Sequence, residues 1–64
     1  MPRYELVVER PGEPPHTSDY NSRNRRHTEG DVIRLADFGN VRVIRVETID
    51  HPMFVARLVC APVG

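Results

Sequence analysis

The chain has 64 residues, nine basic against nine acidic side chains, no Trp and one Cys. That length allows a single domain, which buries only about 60% of the surface its unfolded form exposes, and a lone Cys rules out an internal disulfide staple. Balanced charge argues against a strongly basic nucleic-acid binder, because affinity there comes largely from neutralised phosphates.

All nine basic residues are Arg. Arg suits bidentate recognition of phosphate or carboxylate. Codon usage in a GC-rich genome has the same effect, and this plainer reading points to a small bacterial or phage protein. The opening Met1-Pro2-Arg3-Tyr4-Glu5 lacks the apolar core of a secretory signal. No apolar run approaches the roughly 18 residues of a membrane span. With one unpaired thiol, the expected setting is a reducing cytoplasm with no membrane attachment.

Residues 3–9 alternate, with Tyr4, Leu6 and Val8 on one face and Arg3, Glu5 and Glu9 on the other, the pattern of a half-buried strand. Pro11 and Gly12 end it. From 10 to 30 the only large apolar residue is Tyr20. Such a stretch cannot bury enough to offset its ordering entropy, so a long, polar, mobile loop is expected. A short helical turn over 18–26, capped by Ser18 or Asp19, competes with the turns that Asn21, Ser22 and Asn24 favour.

Gly30-Asp31 introduces a second strand over 31–36, with Ile33 and Leu35 on one face. Asp37-Phe38-Gly39-Asn40 reads as a tight connection, Gly39 suiting a position with φ > 0. In the next strand, 41–47, Val41 and Val43 lie on one face but Ile44 and Val46 on the other. That slip of phase predicts a bulge or sharp bend. A turn through Pro52 leads to a last strand, 53–60, apolar on both faces and interrupted only by Arg57. The expected fold is all-β, a small barrel or strongly bent antiparallel sheet of four to five strands. Its core would hold Leu6, Val8, Ile33, Leu35, Val43, Phe54 and Leu58.

The run Gly30-Asp31-Val32-Ile33-Arg34-Leu35, then Gly39, then Val41-Arg42-Val43-Ile44-Arg45-Val46-Glu47 resembles small SH3-like barrels. The resemblance covers about a third of the chain and implies that the long segment after the first strand helps to form a binding surface. Recognition of proline-rich peptides needs an aromatic groove, whereas this chain has only Tyr4, Tyr20, Phe38 and Phe54.

His16, His27, His51 and Cys60 include no close-spaced pair of the kind that marks zinc sites. The histidines read as solvent-exposed loop residues, and Cys60 as an inert thiol on an apolar strand. Glu47 and Asp50 read as solvated residues flanking a turn. No cofactor, metal or catalytic residue is expected.

Ser22-Arg23-Asn24-Arg25-Arg26-His27 is the one cationic cluster. Glu13, Asp19 and Glu29 leave its segment a net charge of only +1. The first expectation is a non-enzymatic adaptor that binds a protein partner, with Tyr20, Arg23, Arg25, Arg26, Arg42 and Arg45 as candidate partner-binding residues. The alternative is weak binding of RNA or DNA through the Arg-rich segment. Apolar surface on both faces of 53–60 also suggests a homodimer.

Overall fold

The computed structural model describes residues 3–21 and 27–63, all of them strands, turns and connections. Five strands run in the order β1 (Arg3–Val8), β2 (His16–Asn21), β3 (Val32–Leu35), β4 (Gly39–Glu47) and β5 (Ala56–Pro62). They form one curled half-barrel sheet with the spatial order β2-β1-β5-β4-β3.

The fold is the expected small all-β sheet, with one difference in pairing. β1/β2, β3/β4 and β4/β5 are antiparallel, but β1 and β5 run parallel, from Tyr4 opposite Ala56 to Val8 opposite Cys60. A parallel neighbour cannot be reached by a tight hairpin. Here the connection from β1 to β5 consists of the other three strands.

The second difference lies in the segment read as a loop. Residues 16–21 form β2, which pairs with β1 from Val8 opposite His16 to Arg3 opposite Asn21. Ser18 and Tyr20 are half-buried on its inner side, and Thr17, Asp19 and Asn21 are exposed. One aromatic anchor suffices because β1 supplies the ladder and the rest of the inner face. The helical turn over 18–26 does not form across 18–21, and residues 22–26 lie outside the described ones.

The inner face gathers Tyr4, Leu6, Val8, Ile33, Val41, Val43, Leu58 and Cys60 into the core. Two core assignments need correction. Leu35 is half-buried against the cluster, and Phe54 is half-buried outside it. Phe54 fails to enter because 53–55 is not strand. Met53 N donates to His51 Nδ1, and the Phe54 ring lies 4.7 Å from that of His51. β5 therefore begins at Ala56 and runs on to Pro62, where Ala61 and Pro62 pair with Arg42 and Val41.

The slip of phase in β4 is a bulge. Val43 opposes Cys60 and Arg45 opposes Val59, leaving Ile44 as the extra residue. The β3–β4 turn places Gly39 at φ 69°, in the left-handed region where a Cβ is disfavoured.

Leu58 is fully buried on the central strand, next to Leu6 and Val46. Leu58→Ala is expected to destabilise the fold by about 3 kcal/mol. For a domain of this size that is a large share of the total stability, and the midpoint of a urea titration measures it.

Candidate functional site

The curl brings the two edges of the sheet near each other, and aromatic side chains bridge them. At one end His27, on the connection from β2 to β3, is buried with its ring 5.6 Å from Tyr4 and 5.3 Å from Tyr20. Its Nδ1 lies 3.6 Å from Asp31 Oδ2, and the same carboxylate oxygen accepts from Thr28 N. At the other end the His16 ring of β2 lies 4.9 Å from Phe38 of the β3–β4 turn, with the Arg10 guanidinium 5.0 Å from that ring. The expectation of exposed loop histidines therefore needs correction at His27. Its imidazole packs against Tyr4 and Tyr20, which stand opposite each other on β1 and β2.

On the outer face an ion-pair chain crosses the middle of the sheet. Arg57 Nε donates to Glu5, and Arg57 Nη1 donates to Glu47 Oε1 at 3.1 Å. Arg45 Nε donates to Glu47 Oε2 at 2.9 Å, while Arg45 Nη2 lies 3.8 Å from Glu9. Val59, 2% exposed, sits between Arg57 and Ala61 on β5 and opposite Arg45. The hydrogen bonds from Arg45 and then Arg57 hold the Glu47 carboxyl below its ordinary value. Glu47 is thus part of this chain, not simply a solvated turn residue.

The candidate partner-binding residues do not converge. Tyr20 is half-buried on the inner side against His27, while Arg42 and Arg45 are exposed on the outer face. Arg45 is already engaged with Glu47 and Glu9. Arg23, Arg25 and Arg26 lie outside the described residues.

Two further surface features stand out beside the candidate partner-binding residues. The first is the loop before β5, where Met53 is 55% and Val55 57% exposed. Its shape is set by the His51 contacts and by Val55 N donating to Arg3 O at 2.9 Å. The two-faced apolar pattern of 53–60 signalled excess apolar surface, though not its place on a loop. The second is an open cleft of about 480 Å³ lined by His27, Thr28, Glu29 and Val46.

Among the described residues no three of His, Cys, Asp and Glu gather as a metal site, and no helix is long and apolar enough to cross a membrane. Cys60 is buried, and desolvation pushes its thiol up to about 11, which disfavours the thiolate that a nucleophile needs. Comparison with protein families, with curated proteins and with solved structures finds no match for this chain.

Because the folded-state Glu47 carboxyl titrates below its ordinary 4.5, its ion pairs support the fold above that value. Their contribution is lost as the pH falls through the lower, folded-state midpoint. In a carbonyl-detected NMR titration, Glu47 is expected to show a midpoint below 4.5 and to move back toward it in Arg45→Gln. Cys60 is expected to react with a disulfide reagent at pH 8 only as fast as the fold opens, and addition of urea should accelerate the reaction steeply.

Proposed function

We propose that this chain is a small non-enzymatic binding module of the cytoplasm that engages a protein partner through the apolar loop at 53–55. The observation that carries this reading is the pair Met53 and Val55, both more than half exposed on a loop whose backbone is held by hydrogen bonds. A fixed loop loses little conformational freedom on binding, so more of its apolar contact appears as affinity. Met is well suited to such surfaces because its flexible thioether adapts to the partner. The curled sheet and the bulged β4 support the resemblance to small SH3-like barrels.

A second reading, weak binding of nucleic acid, draws on Arg42, which is exposed and in no ion pair among the described residues. Arg45 adds little to it, since Glu47 and Glu9 offset its charge.

The test compares the wild-type chain with Met53→Glu/Val55→Glu in affinity capture from the native host, at low and high salt. A protein partner should be retained at high salt and should bind the double variant at least about tenfold more weakly. The thermal midpoint should be unchanged, because neither side chain is buried. Capture of nucleic acid that disappears with rising salt, equal for both chains, would replace this reading with the second one.

A further inference from the structure

Strand β3 has one bonded neighbour, β4, and its other edge, on the side toward which the sheet curls to β2, is hydrogen-bonded to no strand among the described residues. Val43 N donates to Asp31 O at 2.8 Å, and continuing the β3/β4 register by one residue sets Asp31 opposite Val43. Hydrogen-bonded and non-bonded pairs alternate along an antiparallel ladder. The Asp31 carbonyl and Ile33 therefore bond inward to β4, the Asp31 N–H donating to Thr28 O, while Val32 and Arg34 turn their N–H and C=O groups outward. No backbone group of the described residues takes up these outward groups.

The side chains along this edge have a definite chemistry. Ile33 is buried and Leu35 half-buried on the inner face. On the outer face Val32 is 47% exposed and Arg34 is exposed. Arg42 stands opposite Val32, one step diagonally from Arg34. Neither guanidinium has a carboxylate partner among the described residues, whereas Arg45 and Arg57 on the same face each have two. Two uncompensated cations on neighbouring strands raise the energy of the free chain. An acid laid beside them lowers it.

The other edge of the sheet lacks this combination. β2 is preceded by Pro14 and Pro15 and carries Thr17, Asp19 and Asn21 on its exposed side, features that deter strand addition. Arg34 deters a second copy of β3 in the antiparallel register that sets Arg34 opposite Arg34, where two cations would meet. A nucleic acid would meet the two cations but has no amide ladder to match the outward groups.

We propose that the open edge of β3 accepts an extended peptide strand of a partner protein. Its side chains alternate between acidic residues on the outer face, beside Val32 and Arg34 and facing Arg42 across β3, and apolar residues on the inner face, beside Ile33 and Leu35. The added strand continues the sheet at the usual spacing of about 4.8 Å, and its main chain binds by strand addition. The inference rests on the reading of the chain as a protein-binding module but uses a surface separate from the 53–55 loop.

The probe is a fluorescein-labelled seven-residue peptide of alternating Glu and Val, titrated into the full chain and followed by anisotropy and amide hydrogen exchange. Binding should protect the Val32 and Arg34 amides, which exchange rapidly in the free chain. Arg34→Glu should weaken binding by at least about tenfold with an unchanged thermal midpoint, and a peptide alternating Lys and Val should regain affinity for that variant. Peptides N-methylated at one or other alternate set of amides should differ, one set abolishing binding. Met53→Glu/Val55→Glu should bind the probe normally, which separates this site from the loop. The proposal is overturned by lack of binding, or by equal binding of both N-methylated peptides. It is also overturned if the free chain sediments as a dimer with its Val32 amide already protected, or if an oligothymidylate binds more tightly than the peptide and loses affinity in Arg34→Glu.

Discussion

The parallel ladder between β1 and β5 joins two parts of the sheet that have no other strand-to-strand link. β2 pairs only with β1, and β3 reaches the sheet only through β4, which pairs with β5. Without the ladder there remain a two-stranded hairpin and a three-stranded meander, each with an uncovered apolar side. A lone hairpin is at best marginal in water. Leu6 beside Leu58 and Val8 beside Cys60 are the contacts that make one core of the two halves. The bulge at Ile44 keeps the meander in register while it bends, so that β3 and its turn approach β2 and the half-barrel is capped by His27 at one end and Phe38 at the other.

The outer face solves a different problem. A central strand has two sides to cover, and one sheet provides a core for only one of them. Here Val59 is covered within the single chain, flanked by Val7, Arg57 and Arg45, whose long stems can shield apolar surface while their charged ends meet Glu5, Glu47 and Glu9. The ion pairs remain partly open to solvent, which screens their electrostatic contribution. Their larger effect is to fix where the Arg stems lie. Among the described residues, the large apolar side chains left exposed are Met53 and Val55 before β5, Val32 on the β3 edge, Ile44 and Val46 on β4, and Val63.

Much of this architecture is legible in the residues. Alternation located β1 and β3, the slip between Val43 and Ile44 located the bulge, and Gly39 marked a turn with positive φ. β2 was hidden because a strand made of His, Thr, Ser, Asp, Tyr and Asn owes its existence to a neighbour and carries almost no periodic apolar signal of its own. The parallel sense of β1 and β5 was hidden for a related reason: pairing direction depends on the path of everything between the strands. The burial of His27 is not legible in sequence because it depends on Tyr4, distant in the chain, as well as on the nearer Tyr20. Of the candidate site, the cationic residues were visible, but Arg45 and Arg42 look alike in sequence and differ only in the carboxylates that pairing brings to Arg45.

The place of β5 in the sheet also bears on how the chain is made. Synthesis proceeds from the N-terminus, and the strand on which both halves depend is the last of the five to be made. Until Leu58 and Cys60 have left the ribosomal tunnel, β1 and β4 have no common neighbour, and their valines and leucines remain open to chaperones and to one another. The complete sheet thus cannot form until β5 emerges, and a chain broken before Ala56 lacks the strand that joins β1 to β4.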